Sequence, residues 1–135
     1  MGLFNKIKKD EKGFIKLDVK QVINYTAGTG AGCVASNRIT KDGYKVGYMV
    51  KRMPSKNFPD TGWLFYAGDE DQAYSDDAKN FNVFDINTIC NYDSDIIPYI
   101  LENGSKDQVE LIRVDDKNFI VDNGTLPIHV MKNKF

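Results

Sequence analysis

The chain has 135 residues, is 41% hydrophobic and 27% charged, and carries a net charge of −1. That length fits one domain, with roughly two-thirds of the unfolded chain's surface buried on folding, and sixteen aromatic residues exclude a disordered polyelectrolyte. The near-zero total excludes neither sign of partner, because residues 1–59 hold twelve Lys or Arg against four acids, residues 60–110 two against twelve, and residues 111–135 four against three.

Separation of this kind gives a local field that steers an oppositely charged partner. The alternative, that the basic and acidic segments fold side by side and cancel, is equally compatible with the sequence.

The start, MGLFNKIKKDEKGF, has no apolar h-region, and no segment approaches the ~20 apolar residues of a membrane span. A cytoplasmic protein is expected. Lys6 stands where myristoylation needs a hydroxyl residue. Three sequons, at Asn24, Asn103 and Asn123, read as turns and helix ends. Leu3, Phe4 and Ile7 have the spacing of a short amphipathic helix. Asp18 before Val19, Val22 and Ile23 predicts an N-cap and about two helical turns.

TAGTGAG (26–32) is not a phosphate loop, since no Gly-Lys-Ser/Thr follows. It predicts a connection where backbone passes close to something. Asp42-Gly43 in CVASNRITKDGYKVGYMVK predicts a type I′ hairpin over residues 33–51, with Ile39 opposite Val46, Asn37 opposite Tyr48 and Ala35 opposite Val50. Past the proline-bearing loop 53–62, GWLFYAG is apolar from Trp63 to Ala67, the pattern of a central strand covered on both faces.

Five carboxylates follow within YAGDEDQAYSDD: Asp69, Glu70, Asp71, Asp76 and Asp77. They leave the end of a buried strand. Next, Asp85 predicts a capped helix with Ile86, Ile89 and Cys90 inward, and Asp95 a second one with Pro98 in its first turn and Gly104 at its end. Residues 109–114 and 119–122 read as a second hairpin, and Asn123-Gly124 as a turn before the strand-like LPIHV. The whole predicts an α+β fold: a mostly antiparallel sheet with helices packed on one face.

Few residues suggest chemistry. Cys33 and Cys90 are far apart and form no CxxC pair, so they read as small buried hydrophobes. The sole histidine, His129 between Ile128 and Val130, reads as a face-alternating strand residue. An EF-hand loop begun at Asp69 would place Ala73, Tyr74 and Asn80 at its fifth, sixth and twelfth positions, where it needs an oxygen ligand, glycine and glutamate. No metal and no cofactor are expected. Crowded loop acids are mostly solvated, which favours a binding module over a two-carboxylate hydrolase.

GCVASNRITKDGYKVGYMVKR, DTGWLFYAGDEDQAYSDD and FDINTICNYDSDIIPYI together resemble the bacterial immunity protein 33-like domain family. Its pattern is DG.KVGYM, then D.GW.F.AGDED..Y.D, then LNT..NYDP.IIP, matched in order and spacing from Cys33 to Ile100 and more weakly to Asp122. Two departures stand out: the loop KRMPSKNFPD is basic, and Ser94 replaces the proline of NYDP. The resemblance implies a place in polymorphic toxin systems, where an immunity protein binds and neutralises a toxin domain. Length and residue pattern predict one domain over 1–135, with 1–30 an N-terminal helical extension and Gly-rich connection, and the resemblance implies 33–122 as the immunity-like core.

Two readings follow. The first is a non-enzymatic cytoplasmic binding protein presenting Asp69, Glu70, Asp71, Tyr74, Asp76, Asp77 and Trp63 to a basic protein such as a toxin domain, with neither nucleic acid nor membrane as partner. The second is a small enzyme or ligand-binding domain using Asp69, Glu70 or Asp71 beside an aromatic cleft with Trp63 or Tyr74.

Overall fold

In the computed structural model, which describes residues 8–122, six strands form one sheet in the order β4-β1-β3-β2-β5-β6. They are β1 (Gly32–Ser36), β2 (Tyr48–Lys51), β3 (Asp60–Tyr66), β4 (Phe81–Asp85), β5 (Val109–Arg113) and β6 (Phe119–Val121). Only β1–β3 is parallel; the other four pairings are antiparallel. Four short helices accompany the sheet: α1 (Asn37–Thr40), α2 (Gln72–Asp76), α3 (Ile86–Tyr92) and α4 (Ile97–Glu102). The architecture is α+β, as the sequence predicts.

Strand alternation divides the core in two. Cys33, Ala35, Met49, Trp63, Phe65 and Leu111 pack with Ile86, Ile89, Cys90, Ile96 and Ile100 of the helical layer. Their neighbours Val34, Tyr48, Val50, Leu64 and Tyr66 point the other way and cluster with Phe81, against which Phe58 and Tyr74 pack. All seven residues of β3 are buried, so the apolar run is the central, doubly covered strand expected.

The hairpin over residues 33–51 does not form. β1 pairs with β3 and β4 and never with β2, so the predicted pairs of Ile39, Asn37 and Ala35 with β2 residues are absent. Ser36 accepts from the Arg38 amide and starts α1. Gly43, at φ +83°, sits just past that helix, its N–H donating to the Ile39 carbonyl. A positive φ after aspartate serves a helix end as well as a hairpin.

A second correction concerns residues 18–25, which form an extended strap rather than a capped helix. Asn87 and Asn91 of α3 hold its main chain; Ile23 joins the core and Tyr25 packs against it, while Val19 and Val22 are 47% and 43% exposed. The third concerns α4. It is preceded by a 3-10 turn, Ser94–Ile96, capped by Asp93, and its own N-cap Ile96 makes no side-chain bond; Asp95 lies inside the turn, and Asn103 is the C-cap.

Other expectations hold. Asp85 caps α3 with Ile86, Ile89 and Cys90 inward, and β5 and β6 form the second hairpin. In the glycine-rich connection a Cβ on Gly30 or Gly32 would lie 2.4 or 2.2 Å from Pro59. Both cysteines are free and buried; burial, then each neighbouring acid or thiol, pushes Cys33 well above its ordinary value and Cys90 up to about 12. Thiols so raised are poor nucleophiles at neutral pH. The predicted helix at Leu3, Phe4 and Ile7, the turn at Asn123-Gly124 and the strand holding His129 lie outside the described residues. Among those described, no helix is long and apolar enough to cross a membrane.

Candidate functional site

The acidic stretch is a folded corner at the end of β3. Glu70 is 4% exposed and its carboxylate turns back to accept from the Ala67 and Gly68 amides, both at 2.8 Å. Asp71 caps α2 by accepting from Tyr74 N–H at 2.8 Å. Asp77 caps a 3-10 turn, Ala78–Asn80, by accepting from Lys79 N–H at 3.0 Å. Gln72 donates to Asp76 one turn later at 2.7 Å. Three of the carboxylates thus satisfy backbone donors that a tight turn and two helix starts leave open.

Asp69 instead meets Arg38 of α1, which donates from Nη2 at 2.8 Å and Nε at 3.3 Å. The same guanidinium reaches Asp42 at 3.6 Å and lies between two rings, 5.0 Å from the centroid of Tyr44 and 5.7 Å from that of Tyr74. Tyr74 also packs edge-on against Phe81, 5.9 Å away. Burial pushes the Tyr74 phenol up, with its Ser36 hydrogen bond opposing. Tyr44 is 48% exposed and the Arg38 side chain 31%, and Asp69, Asp71, Asp76 and Asp77 of the acidic stretch are all exposed.

The corner therefore assembles five of the seven residues read from the sequence: Asp69, Asp71, Tyr74, Asp76 and Asp77. Glu70 lies beneath them as the turn's internal clamp. Trp63 is elsewhere: it is fully buried in the helical-side core, stacked at 6.1 Å on Phe65, with its indole N–H donating to Tyr25. A side chain with no exposed surface has none to offer a partner. Arg38, Tyr44 and Asp42 escape a sequence reading that makes residues 33–51 a hairpin. With Ser36 read as an N-cap, Arg38 falls in a helical turn and Asp42, four residues on and just past its end, comes within reach of it.

Cross-segment ion pairs also resolve the two charge readings. Arg38–Asp69, Lys45–Asp95 and Arg52–Asp60 each join a cation of residues 1–59 to an acid of residues 60–110. These pairs cancel part of the imbalance locally, and one of them, Arg38–Asp69, lies in the corner itself. Behind it, Arg113 bonds Asp93 at 2.8 Å and Asp95 at 3.0 Å, and Asp93 accepts from Val46 N–H at 2.9 Å. For Asp95, burial raises the pKa, but hydrogen bonds from Arg113 and Lys45 outweigh it and hold the carboxyl below its ordinary value.

Gly47 fastens β2 to this corner. Its N–H donates to Tyr66 O and its carbonyl accepts from Arg113, both at 2.9 Å; a Cβ there would lie 2.1 Å from Ala67 O. On β5, burial pushes Glu110 up despite a 3.0 Å hydrogen bond from Tyr48. Among the described residues, no three His, Cys, Asp or Glu side chains converge as a metal-binding group. The corner combines aromatic area, a guanidinium over two rings and exposed carboxylates.

Comparison with known proteins adds one match. The family model described as the immunity protein Imm33 domain matches residues 33–121, a span that begins in β1 and ends with β6. No curated protein and no solved structure matches the chain.

Proposed function

Because the chain belongs to the immunity protein Imm33 domain family, we propose that it is a non-enzymatic cytoplasmic binding protein that neutralises a toxin domain through the acidic corner. The observation that carries this reading is the Arg38 guanidinium over the Tyr44 and Tyr74 rings and paired with Asp69, in a stretch whose Asp71, Asp76 and Asp77 are exposed. Tyrosine and arginine are the residues that interface hot spots favour, and the acids around them suit a basic partner. The buried end of β3 and the Glu70 clamp hold this surface in place before binding, so little ordering cost falls on association.

The test starts from protein captured by the chain in its native cell. A captured basic domain that stops growth when expressed alone should be silenced by co-expressing the chain. A fourfold variant, Asp69→Asn, Asp71→Asn, Asp76→Asn and Asp77→Asn, should lose that protection, and asparagine keeps both helix caps. Equal protection by the variant removes the corner from the mechanism; a captured partner with no effect on growth removes the toxin.

A further inference from the structure

The strap before β1 is held in an unusual manner for a chain's own segment. Asn87 Oδ1 accepts from the Val22 and Ile23 amides at 2.8 and 3.1 Å, and its Nδ2 donates to Lys20 O at 2.9 Å. One helical turn on, Asn91 Oδ1 accepts from Lys20 N–H at 3.0 Å and its Nδ2 donates to the same Lys20 carbonyl at 2.9 Å. Two amide side chains, each both donor and acceptor, thus replace the strand neighbour that an extended backbone normally needs. Of the strap's own side chains here, Val22 is 43% exposed and the Lys20 side chain 73%, while Gln21 donates from Nε2 to the Ile23 carbonyl at 2.6 Å, a bond within the strap itself. Strap side chains meet the rest of the fold at Ile23, 7% exposed in the core, and at Tyr25, whose hydroxyl accepts from Trp63. Both asparagines lie inside the matched span 33–121, whereas the segment they hold lies before it.

We infer that Asn87 and Asn91 form a main-chain-reading clamp for an extended peptide, occupied at rest by residues 20–23, which a segment of a protein partner replaces. The segment is one with an apolar residue three positions after the clamped carbonyl and an aromatic hydroxyl two positions later. Recognition through main-chain groups with pockets for a few side chains is an established way to bind extended peptides. The clamp is distinct from the acidic corner and does not depend on it.

The probe is a labelled synthetic peptide, LDVKQVINYTA, copying residues 17–27. A tethered segment has an effective concentration on the order of millimolar, so about 1 mM peptide should displace roughly half of the strap from the unchanged chain. Hydrogen exchange at the Val22 and Ile23 amides should then quicken at least about tenfold while the β3 amides keep their rates. In the full chain carrying Ile23→Ser, which frees the strap, the peptide should bind saturably without competition. Adding Asn87→Ala should weaken that binding about tenfold or more, as should N-methylation of the peptide at its Val22 counterpart; changing its Lys20 and Val22 side chains should alter it less than about threefold. Unchanged exchange at the two strap amides overturns the inference even if the Ile23→Ser chain fails to fold. Peptide binding to a folded Ile23→Ser chain that ignores Asn87→Ala overturns it equally.

Discussion

Arg38 and Asp69 form a two-point ion pair, at 2.8 and 3.3 Å, that joins the first helical turn to the loop after the central strand. Their side chains are 31% and 46% exposed, so the pair sits where water screens it. Glu70, the next residue, is buried beneath and bonds only backbone. Neighbours in sequence, the two acids have different work to do.

Replacing them separates the roles. Asp69→Asn should cost less than about 1 kcal/mol of folding free energy, as exposed pairs do. Glu70→Gln sets an amide N–H against a backbone N–H in a buried site and should cost about 1 to 3 kcal/mol. Urea titrations of the two variants check this; equal losses contradict the division.

Gly47→Ala should be among the more damaging single changes. The added Cβ would press on the Ala67 carbonyl at 2.1 Å, and overpacking of that kind costs roughly 1 to 3 kcal/mol or forces the backbone to shift. Since Gly47 bonds both Tyr66 and Arg113, such a shift moves the acidic corner as well. Thermal denaturation measures the loss, and a melting point within a degree of the parent contradicts it.

Two carboxyls make stability depend on pH with opposite signs. Asp95, held low in the fold by Arg113 and Lys45 against its burial, contributes stability that is complete above the unfolded value of about 3.9 and is lost as pH falls through the lower folded value. Asp95→Asn should therefore weaken the protein at pH 7 and approach parity near pH 2. Glu110, pushed up by burial, favours the fold most below about 4.3 and loses that contribution as pH rises through its folded value. Glu110→Gln should raise stability at pH 7 relative to the parent and make no difference at pH 3. Denaturation across this range checks both slopes.

Folding should need no metal. Excess EDTA should leave the melting temperature unchanged. A fall of several degrees would assign a structural cation to Asp69, Asp71, Asp76 and Asp77, since bound metal is folding free energy.

What the sequence made legible was what local pattern alone determines. The run Trp63 to Tyr66 is apolar at every position, short, aromatic-rich and preceded by glycine, which together suit a strand buried on both faces; Asp85 followed by Ile86, Ile89 and Cys90 satisfies a cap and a helical stripe together. The misreadings arose where one local signal serves two structures. Gly43 supplies a positive φ that ends α1, and no short window distinguishes that use from a hairpin turn. Val19, Val22 and Ile23 have helical spacing, but Asn87 and Asn91, more than sixty residues away, supply the bonds that make an extended strap the better solution. Trp63 adjoins the acids in sequence and faces away from them, because alternation along β3 turns it to the helical side. The corner's arginine and second tyrosine come from α1 and the turn after it, and tertiary folding alone brings them to the loop.

The sheet order has a consequence for how the chain comes to be folded. β1 ends at Ser36, yet the strands that flank it are β3, at residues 60–66, and β4, at residues 81–85. No hairpin can seat it early. As the polypeptide leaves the ribosome, Cys33, Val34 and Ala35 have no strand neighbour until β3 has emerged and lack their second one until Asp85 has, and the earlier of the two pairings is parallel. Such long-range closure is slow, and it exposes an apolar strand while synthesis proceeds. A chain halted before β4 is therefore predicted to be sticky, and a pause placed after residue 85 should improve yield where a pause before it lowers it.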